Sequence, residues 1–419
     1  MKIKLTKQYP EQASVLAVAL LTTGILCVTI WSYLLMIQNQ NLSVTRSQAW
    51  NGSLAMAEAG VEEALAQLNP GVTAADVDRT GNGWGSPSNG VYGPITRTLT
   101  TGTYAVSYTT DSFPVIFSAG SATVPFRSAS ISRVIRVTTT NVPLANVSLG
   151  ALNGISMNGN SIAADSFDSS NTNLSTNGQF DSSKTTTNGN VADVAGTVSL
   201  GNQTIEGSLY LGPTASYAGS GTVSGSVYNN FNVNFPDVVL PSLPFPNSAS
   251  GSTMAPDGST YNHVFLTPGN WTVADSGSIY VGTNAGIVLK VTAASWNPGS
   301  VNIVGSTTNS GNLTVYMLGA SASMAGSTTV SSGVAANFTY YGLPSNTSVT
   351  FSGNSSFVGV IYAPEVSLTL NGGGNNNGFI GSCIVNSITM HGHYDFHFDQ
   401  ALLKNGPSRG YTATSWTEL

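Results

Sequence analysis

The chain has 419 residues, of which 41% are hydrophobic and only 8% are charged, and it contains 46 glycines. Its length accommodates two or three domains. Its low content of charged residues favours strands and turns over helices and, with the hydrophobic content, excludes a disordered chain. The net charge of -6 and the pI near 5.1 argue against a nucleic-acid partner, because phosphate binding requires clustered Lys and Arg.

An uncharged segment at residues 14–37, SVLAVALLTTGILCVTIWSYLLMI, predicts a transmembrane helix. Lys2, Lys4 and Lys7 in the leader at residues 1–13 place the N-terminus in the cytoplasm by the positive-inside rule. The remainder of the chain is then expected in the periplasm or at the cell surface. A cleaved secretory signal is the alternative interpretation, although this segment is longer than the usual apolar region of a signal.

Residues 38–70 are predicted to extend the same helix, because apolar residues recur in SLAMAEAGVEEALAQLN at steps of three or four. This stripe comprises Leu54, Ala57, Val61, Leu65 and Leu68, and it is stopped by Asn69, Pro70 and Gly71. Periodicity alone allows two partners for the stripe. It either packs against the β-domain of its own chain or against neighbouring subunits of a filament.

The basic leader, the apolar helix and the AMAEAGVEEAL segment resemble the N-terminus of PilX-type prepilins, minor components of type IV pili and secretion pseudopili. The resemblance covers residues 1–68 and implies insertion in the inner membrane, cleavage by a prepilin peptidase and assembly with other pilin-like subunits. The chain departs from the pattern because no Gly precedes the apolar segment and Val18 stands where many pilins carry a glutamate. Two alternatives follow: the chain is cleaved after Ala13, or it is not cleaved and the helix remains a permanent anchor.

A small β-domain is predicted at residues 72–143, with strands in GTYAVSYTT, PVIFSAG and SISRVIRVTTT. By the resemblance, it corresponds to the globular head of a pseudopilin. Arg127, Arg133 and Arg136 are the only close basic group beyond the leader, and they are predicted to lie on solvated strand faces.

Short β-branched runs between Gly and Asn turns fill residues 144–403, which favours a parallel β-helix, or solenoid. A jelly roll or sandwich is the alternative. Five prolines in residues 235–260 predict a stiff connection that interrupts the solenoid or lies along its wall. Residues 404–419 form a C-terminal tail. The predicted fold class is therefore mainly β, with a long pilin-like helix, a small sheet and a β-solenoid.

The C-terminal segment GVIYAPEVSLTLNGGG, followed by GFIGSCIVNSITMHGHYDFHFDQAL, resembles an uncharacterised bacterial surface domain often found behind PilX-like N-termini. That domain carries an IYAP strand, a glycine-rich turn and an aromatic-His-aromatic-Asp ending, which residues 359–402 reproduce in order. The resemblance implies a β-helical structural module at the cell surface and no chemistry. It also implies that His397 and Asp399 cap the last coil.

The segment HGHYDFHFD contains the candidate metal ligands of the chain. In a strand, its polar residues share one face and its aromatic residues face a core; the candidate ligands are His391, His393, Asp395, His397 and Asp399. Side chains on one face stand roughly 7 Å apart, so a metal site requires a donor from a neighbouring coil. Because no such donor is evident, hydrogen bonds to Asp395, Asp399 or backbone are the preferred interpretation, and no metal or cofactor is predicted.

No catalytic residue is predicted, because a carbohydrate-cleaving cleft needs carboxylates beside basic residues and only Lys184 and Lys290 are basic between residues 141 and 403. Three aspartates in the Ser/Asn-rich segment are predicted to form turns: Asp165, Asp168 and Asp181. Four aromatic residues either stack on a glycan or fill the coils, and filling is favoured: Trp271, Trp296, Tyr340 and Tyr341.

The sequence thus predicts a non-enzymatic structural and adhesive protein of the bacterial envelope, associated with a type IV pilus or pseudopilus. Its expected partners are other pilin-like subunits, membrane lipid and a surface glycan. A membrane-tethered carbohydrate-active β-helix enzyme and a metal-dependent adhesin are the alternatives.

Overall fold

Strands account for 46% of the chain and helices for 17%, so the protein is mainly β. The computed structural model describes residues 11–69, 82–111, 113–125, 127, 129–159, 162–324, 328–352 and 356–419, without the side chains of residues 11–14, 373–377 and 393. Most of the predicted leader, the Pro70–Gly71 stop and the His393 side chain lie outside the described residues. The chain divides into two compact units.

The first unit begins with one continuous helix, Glu11–Leu68. Among the described residues, this is the helix that is long and apolar enough to cross a membrane, with a mean hydropathy of 2.2 in its most apolar stretch and none of that stretch buried. Large side chains from Val15 to Met36 are exposed all round it. The predicted span and its predicted extension are therefore parts of a single rod that ends at Leu68.

The lower part of this helix packs closely on the sheet of its own unit. Ala57 and Val61 are fully buried, and added methyl groups at Gly60 or Gly120 would collide with the opposite element. At Gly120 the obstacle is the helix backbone itself, at Ser53 and Ala57. For these residues of the predicted stripe, the partner is therefore the chain's own β-domain.

The sheet of the first unit has five described strands: Val91–Leu99, Gly102–Thr109, Val115–Thr123, Ser130–Pro143 and Ser408–Glu418. The first four pair antiparallel in chain order, and the last lies beside the fourth. The three strands predicted from the sequence are present. No pattern in the sequence predicts Val91–Leu99, which contains Pro94 and a register shift, or the mostly exposed Ser408–Glu418, which lies in the segment predicted as a C-terminal tail.

Arg133 does not project into solvent as predicted. Its guanidinium pairs with Glu418 on the neighbouring strand and lies 4.6 Å from the centre of the Trp50 ring. Only 11% of its side chain is exposed, because the C-terminal strand covers it. The strand that covers it was not foreseen in the sequence, which is why the prediction was wrong.

The second unit is built mainly of short strands that pair in parallel, and its last strand, Phe357–Asp399, is 43 residues long. Those before the proline-rich segment are Leu149–Ala151, Ile155–Met157, Ala163–Phe167, Val191–Asp193, Thr197–Gly201, Thr204–Ile205, Leu209–Leu211, Ser216–Gly219, Thr222–Val223 and Val227–Tyr228. Those after it are His263–Phe265, Gly269–Val273, Ile279–Val281, Gly286–Val291, Ser295–Trp296, Val301–Ile303, Asn312–Met317, Ser321–Met324, Thr328–Val330, Phe338–Gly342, Ser348–Ser352 and Phe357–Asp399. The remaining elements are the hairpin Thr253–Met254 and Thr260–Tyr261, the 3-10 turns Ser182–Lys184 and Ala335–Asn337, and the helix Leu402–Asn405.

Parallel pairing places equivalent residues of successive strands directly above one another. Leu289 pairs with Val315, Val315 with Tyr340 and Tyr340 with Ile361, and all four are buried in one apolar core. The strands that carry Leu289, Val315 and Tyr340 have only 5 or 6 residues and cannot bury a face alone, so this core depends on in-register stacking.

The order of strands in the stack differs from their order in the chain. Before the proline-rich segment the ladder runs from Leu149 through Val191 and Leu209 to Val227. After that segment a second ladder ends at Cys383, which pairs with Leu149. We call this junction, where residues 383–399 pair with residues 149–167, the seam; the second half of the unit thus closes onto the beginning of the first.

The proline-rich segment lies along the outside of the second ladder. Phe235 and Val238 are buried against a row of tyrosines on consecutive strands, Tyr316, Tyr341 and Tyr362. The first two rings stack, and the last two meet edge to face. Of the two placements that the sequence allowed, the segment takes the one in which its apolar residues cover the wall.

The four aromatic residues that the sequence singled out take different positions in the second unit. Trp296 and Tyr340 are fully buried in its main core, which is the filling role that the sequence favoured, and Trp271 is half-buried against Phe265. Tyr341 is 6% exposed and belongs instead to the tyrosine row under the proline-rich segment.

Candidate functional site

The segment HGHYDFHFD alternates as predicted over most of its length. Tyr394, Phe396 and Phe398 are buried in the core, while Asp395 and His397 point outward and are half-buried. Asp399 breaks the alternation because it is fully buried. His391 is exposed, so the described polar residues of this segment do not form one continuous row.

His397 is held by residues from a different part of the chain than the sequence suggested. Its Nδ1 lies 2.6 Å from an Asp165 carboxylate oxygen on the strand paired across the seam. The Phe180 ring stacks on the imidazole at 3.6 Å, and Gly378 leaves the space that the imidazole occupies. The sequence favoured bonds from the imidazoles of this segment to Asp395, Asp399 or backbone, whereas His397 pairs with Asp165. Asp165 lies in the strand Ala163–Phe167, so the prediction that it forms a turn was wrong.

Asp399 fastens three segments at the seam. Its carboxylate accepts hydrogen bonds from the Ser169 amide and hydroxyl, the Ala401 amide and the Ala335 amide, at 2.7 to 3.4 Å. Burial raises the pKa of Asp399, while these donors act in the opposite direction. The capping role that the resemblance implied for Asp399 stays a prediction.

Beside His397 lies a cavity of about 780 Å³, within the second unit. One wall is the outward face of the long C-terminal strand, with Gly378, Ile380, Asp395 and His397. The opposite wall is the loop of residues 168–187. The other described lining residues are Ala163, Asp165, Thr176, Gln179, Phe180, Asp181, Ser182, Thr185 and Ser356.

The loop that forms this wall is fixed by its own polar residues. Asp181 caps the 3-10 turn Ser182–Lys184 by accepting from the Ser183 amide, and hydrogen bonds from Thr176 and Ser183 lower its pKa to about 2. Lys184 turns away from the cavity and donates its Nζ hydrogens to the Thr172 and Ser175 carbonyl oxygens. Asp181 and Asp168, whose side chain accepts from Ser170, are the turn-formers that the sequence predicted.

The described acidic side chains in the cavity lining are aspartates, and the other polar ones, such as Thr176, Gln179 and Ser182, can both donate and accept hydrogen bonds. Three carboxylates line it, those of Asp165, Asp181 and Asp395, and its described lining contains no Lys or Arg. Asp395 already accepts from the Ala163 amide at 3.0 Å, so at least part of this set has a structural task. The arrangement offers acceptors and one aromatic wall but lacks the adjoining cation that stabilises developing negative charge in a uronate-cleaving site.

Within the described residues, no group of three or more His, Cys, Asp or Glu side chains is placed to hold a metal ion. His397 and Asp165 form a pair, and Asp399 is committed to backbone donors. The His393 side chain lies outside the described residues, so its candidacy as a ligand stays a sequence-based prediction.

Sequence reasoning missed the loop residues of this cavity, Thr176, Gln179 and Phe180. They stand more than 200 positions from His397, and nothing in the local pattern links the two segments. The available signal was an aromatic residue inside a Ser/Asn-rich loop, where a large apolar ring needs a partner.

Comparison with known proteins yields one family match. The profile of a family described as a domain of unknown function (DUF7305) matches residues 264–405, about a third of the chain. These residues include most of the second half of the second unit and the HGHYDFHFD segment. No curated protein is significantly similar in sequence to the chain.

Among solved structures, the competence-associated pilin ComZ from Thermus thermophilus aligns over 88% of this chain and 97% of its own, with 13% identity and a TM-score of 0.26. A TM-score this low carries no argument about shared fold or activity. Function is therefore inferred from the chain's own architecture: an exposed apolar helix, a small sheet and a stack of parallel strands.

Proposed function

We propose that the chain is a non-enzymatic structural and adhesive subunit of the bacterial cell envelope, associated with a type IV pilus or secretion pseudopilus. The observation that carries the proposal is the helix Glu11–Leu68. Its first half exposes apolar side chains all round, and its second half buries Ala57 and Val61 on a sheet. A rod with these two halves suits a subunit that is stored in the membrane and later packs against other pilin-like helices.

The parallel ladders support a β-solenoid as the displayed part. In-register parallel pairing over successive short strands, with one continuous apolar core, is the arrangement that stacked coils produce. The scarcity of charge and the abundance of Ser, Thr and Asn suit a surface that makes many weak hydrogen bonds. We assign the adhesive role to this unit and place it in the periplasm or outside the cell, with the N-terminus in the cytoplasm.

Leu26→Arg tests the anchor. Burying Arg at the centre of a span costs about 3 kcal/mol on insertion scales, so we expect the variant to move from the membrane pellet towards the soluble fraction. Leu403→Arg, at an exposed site in the second unit, is the matched control and should remain membrane-bound. Equal fractionation of both variants and the parent would refute the anchor.

Membrane attachment alone does not distinguish a filament subunit from a permanent anchor. Mass spectrometry of the mature N-terminus addresses this point, because prepilin processing should remove residues 1–13. Isolation of the fully leadered chain as the sole cellular form, never in sheared surface filaments, would contradict the pilus association and leave only a tethered surface protein.

A further inference from the structure

The cavity beside His397 combines size, shape and charge in a way that the structural role of the protein does not require. Its volume of about 780 Å³ lies within the range of small-molecule sites and accommodates a ligand of two or three sugar rings. We propose that it binds a neutral or amino-bearing oligosaccharide. This inference rests on the adhesive part of the proposed function and specifies the class of ligand.

The polar groups of the cavity determine which sugars it takes. Asp181 is ionised at neutral pH, because hydrogen bonds from Thr176 and Ser183 lower its pKa to about 2. With Asp165 and Asp395 also in the lining and no described Lys or Arg there, an acidic sugar meets like charge. Sugar hydroxyl and ammonium groups, in contrast, are donors that match these acceptors.

The apolar part of the cavity is a flat aromatic wall. Phe180 is half-buried, because one face of its ring lies on His397 at 3.6 Å and its edge meets Phe167. The CH-rich face of a sugar ring can pack on such a ring while the hydroxyl groups reach the acceptors around it. Trp271 and Tyr340, the aromatic residues that the sequence offered for stacking, are buried or half-buried and do not compete for this role.

The walls are held rigid before any ligand arrives. The seam fixes His397 opposite Asp165, and Asp399 fastens the start of the loop through Ser169. Gln179, near the tip of the loop, donates to the Ser331 carbonyl oxygen at 3.1 Å. A site that is ordered in advance loses less conformational entropy on binding, which favours measurable affinity from a few contacts.

Isothermal titration calorimetry on the full chain in detergent tests the inference, with chitotriose, the glucosamine trimer, cellotriose, maltotriose and trigalacturonate as probes. We expect at least one neutral or amino trisaccharide to bind, and trigalacturonate to bind about tenfold more weakly or not at all. Binding of none of the four favoured probes, or equal binding of trigalacturonate, would overturn it.

Variants locate the binding in the cavity. Phe180→Ala should weaken binding about tenfold, as loss of an aromatic contact residue does, whereas Tyr217→Ala, at an exposed aromatic elsewhere in the unit, should leave it unchanged. Asp181→Asn retains the capping oxygen and removes one charge. The ratio of the Kd for trigalacturonate to the Kd for the favoured trisaccharide should therefore fall about twofold to fivefold, and the variant should still fold.

The same samples separate this inference from the proposed function. Mass spectrometry of the titrated sugars detects cleavage, which would contradict the non-enzymatic role while leaving binding in place. Conversely, absence of sugar binding together with membrane attachment and filament recovery would remove the ligand and retain the structural subunit. An unchanged affinity in a folded Phe180→Ala variant would show that the sugar binds elsewhere and would refute the cavity.

Discussion

At the residue scale, two glycines determine how closely the helix approaches its sheet. Gly60 faces Ser118 and Tyr104, and Gly120 faces the helix backbone at Ser53 and Ala57. A helix normally packs through side-chain layers, whereas here main chain meets main chain. The sequence shows these glycines only as small residues in a helix and a strand, because the approach depends on tertiary structure.

Gly120→Ala should therefore destabilise the first unit. The added methyl group overlaps the helix backbone and forces the elements apart, which costs about 1 to 3 kcal/mol. Gly24→Ala is the matched control, because no atom lies within 4 Å of the position of its added methyl group. Thermal unfolding followed by circular dichroism measures both, and equal stability of the two variants would contradict the tight contact.

A second residue-scale prediction concerns acid stability. Burial acts to raise the pKa of Asp275, but hydrogen bonds from His263, Ser250 and the Gly277 amide together lower it to about 2. A carboxyl whose pKa is lower in the folded state stabilises the fold above its ordinary value near 4, and this contribution is lost as the pH falls towards 2.

Between about pH 4 and pH 2, the melting temperature of Asp275→Asn should consequently fall less than that of the parent. The effect is modest, because 44% of the Asp275 side chain is exposed and solvent screens its charge. Glu206→Gln, elsewhere in the second unit, is the control for the loss of one carboxylate, and its slope is compared with that of Asp275→Asn. A melting temperature that falls more steeply with acid in Asp275→Asn than in the parent would contradict the lowered pKa of Asp275.

At the scale of elements, the proline-rich segment covers the outside of the second ladder. Its first part buries Phe235 and Val238, and Tyr362 donates its hydroxyl hydrogen to the Pro236 carbonyl oxygen at 2.7 Å. Its last part is fastened where Ser250 donates to Asp275. Burial under this cover raises the pKa of Tyr316 to about 12.

Two neighbouring valines in the proline-rich segment provide a matched test of its packing. Val238 is 2% exposed and Val239 is 61% exposed. Val238→Ala should lower the free energy of unfolding of the second unit by roughly 2 kcal/mol, and Val239→Ala by far less, in chemical denaturation. Similar losses at both positions would mean that the proline-rich segment does not pack as observed.

Local patterns predicted the elements better than their partners. Alternation identified strands such as Gly102–Thr109, and it assigned the buried face of the HGHYDFHFD segment. Pairings between distant segments were not readable, which is why the bond from His397 to Asp165 and the cover over Arg133 were missed. Both depend on strands that lie side by side in space although more than 200 residues separate them in the chain.

At the scale of the whole molecule, the seam is a contact between segments far apart in sequence. Residues 149–228 and residues 263–399 each stack through neighbouring strands, but their junction joins Cys383 to Leu149. Closing so long a loop is slow, so we expect the two halves to form first and the seam to close last.

Cys383 reports on that closure. Its thiol is fully buried, and burial raises the pKa of Cys383, so it should resist maleimide in the folded chain. In a Cys27→Ser background, labelling of Cys383 during refolding should stop only when the seam forms, later than the gain of β-sheet circular dichroism. Protection that appears together with the first β-signal would contradict this order.

The two ends of the segment 144–407 lie close together, where the Leu144 amide donates to the Pro407 carbonyl oxygen at 2.8 Å. A segment of more than 250 residues thus begins and ends at nearly the same point in space. Such an insertion can be lengthened, shortened or exchanged by recombination without re-threading the strands on either side. A replacement segment would need only two ends that lie equally close together.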